Sequence, residues 1–328
     1  MGASRTRSWT GSVWALALVA IGGVSPAAAS AGTVELRDDR LVISGGDERD
    51  RLQLERVDER FRIEQRQPDA ELTTPSAACQ SATVGEVECP AAGVGLIEAS
   101  TGAGNDRFVV GGSFPASDER GACRGNELGA RLEVRMGKGR NYAELSRGPD
   151  LAAGGDRRDL LLGCQGNDEV RGRGGGDRLS GDVGNDSIRG GKGRDWLIGC
   201  VYDPDDVNYP RGEPGKDELR GGGGADFLYG CQGVDRYRAG DGNDTLNTRD
   251  GKGERLACGG RTDLVYVDPS DRLSSCERQT NCTTDNFPFY PCSRRQAFAR
   301  GPSEIARRRA LTPANRDQIG TDNGGTAA

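Results

Sequence analysis

The sequence predicts an all-β protein: a right-handed parallel β-roll, or solenoid, with a small β N-terminal cap and a disordered C-terminal tail. Three observations predict it. A nine-residue pattern recurs in phase through the middle of the chain. Glycine takes 52 of 328 positions, about twice its usual share of ~7%. Only 34% of residues are apolar and 5% aromatic, where about 45–50% apolar is ordinary. A large oil-drop core is therefore excluded, and a thin repetitive one is implied.

Taken in order, the chain opens with Arg5 and Arg7, an apolar run from Val13 to Val24, then Pro26 and the small residues Ala27-Ala28-Ala29-Ser30-Ala31. A charged start, a short apolar stretch and an A-x-A site describe a cleaved secretory signal over residues 1–31. The run is shorter than the ~20 residues a membrane span needs, and no later stretch is as apolar. The expected product is secreted, extracellular and not membrane-spanning. Ten cysteines, at 79, 89, 123, 164, 200, 231, 258, 276, 282 and 292, all follow the signal. An even count in a secreted chain reads as disulfides. Zinc does not fit, because there is no C-x-x-C pair and no histidine. Local spacing favours Cys79–Cys89, Cys258–Cys276 and Cys282–Cys292. The other four can pair as Cys123–Cys164 and Cys200–Cys231, a connectivity the sequence leaves open.

Residues 32–112 carry short alternating segments, Thr33–Leu36, Arg40–Ile43, Leu52–Leu54 and Phe61–Ile63, separated by turns such as Ser44-Gly45-Gly46-Asp47. These predict a small β cap. Within it, Asp50 and Asp106 sit where the later repeat places aspartate. Residues 113–135 are read as an irregular linker.

The roll is assigned to residues 136–247. From Gly154 the chain reads GGDRRDLLL, GCQGNDEVR, GRGGGDRLS, GDVGNDSIR, GGKGRDWLI, and later GEPGKDELR, GGGGADFLY, GCQGVDRYR, AGDGNDTLN. The sixth position is aspartate in all nine rows: Asp159, Asp168, Asp177, Asp186, Asp195, Asp217, Asp226, Asp235 and Asp244. The fourth is glycine in eight, Gly166, Gly175, Gly184, Gly193, Gly215, Gly224, Gly233 and Gly242, with Arg157 the exception. The eighth is apolar or aromatic throughout, from Leu161 to Leu246. Weaker copies lie upstream, at Gly139 with Asn141 and at Gly148 with Asp150. The irregular stretch 199–211 is 13 residues, one row plus four, and is read as a row carrying an insertion, for about twelve rows.

Six glycine-rich residues make a tight turn and three make a short strand whose middle side chain points inward. Two rows form one 18-residue rung, and stacked rungs rise about 4.8 Å each. One inward side chain per row is a thin core, and a glycine-rich chain loses extra backbone entropy on ordering. The aspartates supply the missing term. Stacked on one edge in low dielectric they repel one another, and a hard divalent cation between turns removes that repulsion. Ca2+ takes 6–8 oxygens at ~2.3–2.6 Å in adaptable geometry, whereas Mg2+ demands a stricter octahedron. Turn capping by aspartate is the plain alternative; nine in register favour calcium.

The stretch 136–247 resembles the repeats-in-toxin, or haemolysin-type, calcium-binding nonapeptide family. The resemblance implies a parallel β-roll with calcium between turns of alternate rows, each aspartate giving carboxylate oxygen and the glycines carbonyls. It implies sites at Asp159/Asp177, Asp168/Asp186, Asp177/Asp195, Asp195/Asp217, Asp217/Asp235 and Asp226/Asp244, with Asp150/Asp168 weaker. Toxins of that type use a C-terminal export signal and few cysteines, so this chain departs from them.

After Asn247 the pattern decays. A C-terminal cap is assigned to 248–276, retaining Asp263 and a Val265-Tyr266-Val267 strand. Residues 277–328 are polar, with a net charge of +3, and predict a largely disordered tail.

Composition also bounds function. The net charge is −6, or −8 after loss of Arg5 and Arg7, which disfavours nucleic acid. Absence of histidine removes His-dependent nucleophiles and zinc proteases. The expected function is a non-enzymatic, secreted calcium-binding roll with a surface, matrix or adhesion role and a cell-surface or polysaccharide partner. The alternatives are a polysaccharide-active enzyme carrying the roll, for which the N-terminal segment leaves little room, and a calcium-independent solenoid held by disulfides.

Overall fold

The computed structural model describes residues 32–67, 71–111, 127–201, 215–276 and 279–280. Every regular element among them is a strand. Among the described residues, no helix is long and apolar enough to cross a membrane. The expected signal, the pairs Cys123–Cys164 and Cys282–Cys292, and the tail beyond Thr280 lie outside the described residues.

Successive rows alternate between two stacked sheets, one of 12 strands and one of 13. In the first, Leu96–Ser100, Arg131–Arg135, Leu151–Ala153, Glu169–Gly174, Ser187–Lys192, Glu218–Gly223, Arg236–Asp241, Arg255–Gly260 and Arg272–Ser274 run parallel in that order. In the second, Arg107–Val110, Tyr142–Glu144, Leu160–Leu162, Arg178–Ser180, Trp196–Ile198, Phe227–Tyr229, Thr245–Asn247 and Leu264–Tyr266 do the same. Within the regular rows, Val170 lies opposite Ile188 and Leu161 opposite Leu179, two rows on. The fold is thus a parallel β-roll. Its core is the eighth-position ladder: Leu161, Val170, Leu179, Ile188, Leu197, Leu219, Leu228, Tyr237 and Leu246 are all buried and form one continuous cluster.

The N-terminal segment is built into the same two sheets. Arg40–Ser44 pairs parallel with Leu96–Ser100, and Arg51–Val57 with Arg107–Val110. The antiparallel hairpins Gly32–Arg37/Arg40–Ser44 and Arg51–Val57/Arg60–Gln65 then end the stack. Asp38 and Asp58 take left-handed backbone at their tips (φ 50 and 52°), which aspartate tolerates in tight turns. Leu41, Ile43, Leu52, Leu54, Phe61 and Ile63 fill the end of the core.

Three expectations need correction. The stretch 199–211 is not a row. Gly199 and Cys200 already fill the first two turn positions, Gly215 fills the fourth, and the extra residues enter between them. Ser187 therefore lies opposite Glu218, and Trp196 opposite Phe227. The aspartate pairing Asp195/Asp217 is accordingly replaced by Asp186/Asp217 and Asp195/Asp226. Part of the supposed linker 113–135 is the strand Arg131–Arg135, with Leu132 and Val134 buried; Leu132 stands at the aspartate position, its amide donating to Asp150 Oδ1 at 3.1 Å, which hid the row. Finally, the strands Arg255–Gly260, Leu264–Tyr266 and Arg272–Ser274 continue both sheets, and Gln279–Thr280 adds to the second.

Fourth-position glycines are required by the stack. A Cβ at Gly224, whose φ is +140°, would stand 1.5 Å from the Gly193 carbonyl oxygen. Its neighbour Gly223 faces open space. Gly224→Ala should lower stability by about 1–3 kcal/mol or more, and Gly223→Ala by no more than about 0.5 kcal/mol, measured by denaturant unfolding in excess calcium.

Candidate metal centre

The sixth-position aspartates form two buried columns, one at the entry to each sheet. In the first, the Asp150 amide donates to Oδ1 of Asp168 (2.8 Å), Asp168 to Asp186 (2.8 Å), Asp186 to Asp217 (2.8 Å) and Asp217 to Asp235 (2.9 Å). In the second, Asp159 donates to Asp177, Asp177 to Asp195, Asp195 to Asp226 and Asp226 to Asp244, each at 2.8 Å. Each carboxylate therefore holds the backbone of the preceding rung through one oxygen.

The other oxygen is the informative one. In Asp168, Asp177, Asp186, Asp195, Asp226 and Asp244, Oδ2 is buried and has no hydrogen-bond partner. A buried carboxylate oxygen left without a donor is strongly unfavourable. The remaining members of the set differ. Oδ2 of Asp150 accepts from the Ser146 amide and hydroxyl, and that of Asp159 from the Gly155 amide. At Asp235 the buried Tyr237 hydroxyl donates to the carboxylate.

Five of the six orphaned oxygens, all but that of Asp244, face a space that a first-position glycine leaves open; Ala239 stands at that position in the Asp244 row. A Cβ on Gly163 would lie 2.7 Å from Asp168 Oδ2 and 2.6 Å from the Gly181 carbonyl oxygen of the next rung. The same cradle recurs at Gly172 with Asp177 and Gly190, at Gly190 with Asp195 and Gly221, and at Gly221 with Asp226 and Ala239. An all-oxygen set of carboxylate and backbone carbonyl, dry and lacking a donor, matches a hard divalent cation. The fourth-position glycines Gly166, Gly184, Gly215 and Gly233 stack in one turn column and Gly175, Gly193, Gly224 and Gly242 in the other, each carbonyl crowding the next glycine.

The electrostatics agree. Burial first, then neighbouring aspartates, pushes Asp168 from its ordinary 3.8 up to about 9, Asp177 to about 8 and Asp217 to about 8. Asp186 and Asp226 rise to about 7; Asp159, Asp235 and Asp244 rise to about 6. The columns resist ionisation unless positive charge comes between them.

The RTX calcium-binding nonapeptide repeat matches this chain in four copies, at residues 146–179, 153–188, 171–199 and 211–248. These rows are RTX calcium-binding nonapeptide repeats. RTX repeats bind Ca2+, and the roll is a calcium-binding module. No curated protein matches the chain. All ten aspartates and eight fourth-position glycines picked from the sequence lie inside the matched RTX stretches.

Both columns also run past those stretches. Asp50, Asp106 and Asn141 extend the second column at one end, and Asp263 at the other, where it accepts the Asp244 amide at 2.9 Å. Glu254 and Asp271 extend the first. The sequence reading missed these last two and the first-position glycines of the cradles. Steps of 19 and 17 residues from Asp235 to Glu254 to Asp271 break the period, although the mean rung length was a usable signal.

Asp186→Asn keeps the Oδ1 acceptor for the Asp168 amide but removes the dry charge. Without calcium it should stabilise the roll by about 1–3 kcal/mol, and with calcium it should weaken binding in the flanking rungs, read by chelator-controlled melts. Asp186→Ala should destabilise both forms, because the Asp168 amide loses its partner. The pH trend has a definite sign. Folded-state values raised above 3.8 mean that the metal-free roll holds more protons than the unfolded chain between about pH 4 and 9. Metal-free stability should therefore be greatest below about pH 4 and fall as pH rises through that window. Melts in chelator across the window check this.

Proposed function

We propose that this is a secreted, non-enzymatic protein whose roll is ordered by calcium held between stacked turns, serving a surface, matrix or adhesion role. The observation that carries the reading is the set of six buried aspartate oxygens without a donor, five of them facing a glycine cradle. The proposed ligands are Asp150, Asp159, Asp168, Asp177, Asp186, Asp195, Asp217, Asp226, Asp235 and Asp244 with carbonyls of the turn glycines. Asp150, Asp159 and Asp235 are the weakest members, since protein donors already serve their second oxygens.

Bound calcium supplies the positive charge that lets neighbouring carboxylates stay ionised in a dry column. The chain does the rest. Oδ1 of each aspartate fixes the turn of the preceding rung, the glycine beside Oδ2 leaves room, and the apolar ladder aligns one rung on the next. Filled sites stabilise only the folded state, so ordering follows calcium by mass action, with about 2.7 kcal/mol per site at a hundredfold excess over Kd. Such a chain orders on reaching a calcium-rich exterior. The disulfides Cys79–Cys89, Cys200–Cys231 and Cys258–Cys276 suit an oxidising exterior, as does the expected signal over residues 1–31.

Those same disulfides favour the rival reading, a roll that folds without calcium. Far-UV circular dichroism of the oxidised mature chain, titrated with calcium from chelator, separates the two. A cooperative gain of β signal with calcium and not with magnesium is expected. An unchanged spectrum overturns calcium-driven ordering.

A further inference from the structure

The last rungs of the roll carry an acid site of a different kind. Arg236 lies opposite Arg255, so Glu254 occupies the column position after Asp235. Its amide donates to Asp271 Oδ1 at 3.1 Å, continuing the ladder. Its side chain does not continue it. Glu254 is 1% exposed, and neither Oε1 nor Oε2 has a hydrogen-bond partner. Two further carboxylates come from the turns beside it. Ligand oxygens of Asp250, Glu254 and Asp268 all lie within 4.8 Å of one another.

The surrounding acids are held in place by backbone amides. Asp268 Oδ2 accepts from the amides of Asp250 (2.9 Å) and Gly251 (2.6 Å). Asp250 accepts from the Gly233 amide at Oδ2 (2.8 Å) and the Lys252 amide at Oδ1 (2.7 Å). Asp271 Oδ2 accepts from the Asp268 amide (2.8 Å) and the Thr248 hydroxyl (2.7 Å). Three carboxylates are thus fixed around a fourth that is buried and unserved. Burial, then the facing Asp271 and Asp250, pushes Glu254 up to about 9.

We propose that Asp250, Glu254 and Asp268, with Asp271 facing Glu254, form a further divalent-cation site at the C-terminal end of the roll, and that its ion is calcium. The donors are all hard oxygens, which excludes softer metals as the preferred guest. Their uneven arrangement, with Glu254 free to bind through both oxygens, suits the adaptable 6–8-fold shell of calcium better than the strict octahedron of magnesium. The ligand set is unlike that of the repeats: it uses turn side chains, Asp250 and Asp268, and a glutamate at the aspartate column position. It also lies beyond residue 248, where the last repeat match ends. Asp250 and Glu254 come from one rung, Asp268 and Asp271 from the next, so the ion cross-links the final two turns. Cys258–Cys276 ties the same two rungs. The site lies at the C-terminal end of the described stack and would hold its last two rungs of the first sheet together.

The test counts calcium bound per oxidised mature chain by equilibrium dialysis, in wild type, Asp268→Asn, Glu254→Gln and Asp186→Asn. Asp268→Asn keeps an acceptor for the Asp250 and Gly251 amides, and Glu254→Gln touches no turn amide. Circular dichroism in excess calcium checks that each variant folds, and should either one fail to fold, the other decides. Both should bind one calcium fewer than wild type, with excess magnesium unable to compete for that ion. Wild-type stoichiometry in the variant or variants that fold overturns the proposal. The site is independent of the aspartate columns, and the variants keep the two apart. Loss in Asp186→Asn but not in Glu254→Gln sinks the terminal site and leaves the columns; the reverse pattern keeps the terminal site and sinks the columns.

Discussion

The structure depends on a hydrogen bond from the amide of one aspartate to Oδ1 of the aspartate one rung later. Repeated at about 2.8 Å along both columns, it fixes the spacing of successive turns. It also commits one carboxylate oxygen to the backbone and drives the other into a dry space. The bond that organises the turn thereby creates the need for a cation. Chain geometry and metal chemistry are two sides of one constraint.

Glycine usage follows from the same constraint, for two separate reasons. First-position glycines such as Gly163 and Gly172 have ordinary backbone angles; they are needed because a Cβ would collide with Oδ2 of the row's own aspartate. Fourth-position glycines such as Gly184 and Gly193 combine positive φ with a carbonyl at 1.5 and 1.3 Å from any added Cβ. Second positions are more tolerant. Cys164, Arg173, Asp182 and Cys231 adopt φ of 68–77° there, in the small left-handed region open to non-glycine residues. This tolerance lets cysteines enter the turns, and Cys200–Cys231 links two consecutive rungs with Cα atoms 5.9 Å apart.

The two sheets present different outer faces. On the first, Glu169 pairs with Arg171 and Arg189, and Glu218 with Arg220 and Arg238, along consecutive strands. Such exposed pairs contribute little stability, but they keep the flat face charged and soluble. On the second, Trp196 stacks beside Phe227 with ring centroids 5.4 Å apart. Stability resides inside, where a shared ladder of one apolar side chain per row joins the N-terminal hairpins to the last strands.

The sequence alone determined the period, the parallel stacking, the inward ladder and the ten aspartates, because a strict nine-residue repeat encodes the same local geometry at every copy. It also favoured Cys79–Cys89 and Cys258–Cys276, whose spacings fit a hairpin and one rung, and left Cys200–Cys231 open. Only the tertiary structure decided which rows are neighbours across the insertion, because Gly199 and Gly215 belong to one turn although they are 16 residues apart. Only it separated the aspartates with a dry second oxygen from Asp150, Asp159 and Asp235, since their donors come from turn amides and from Tyr237. Glu254 and its carboxylate neighbours were invisible for the same physical reason. Their rungs are 17 and 19 residues long, so the period fails while the strand register, set by the backbone ladder, persists.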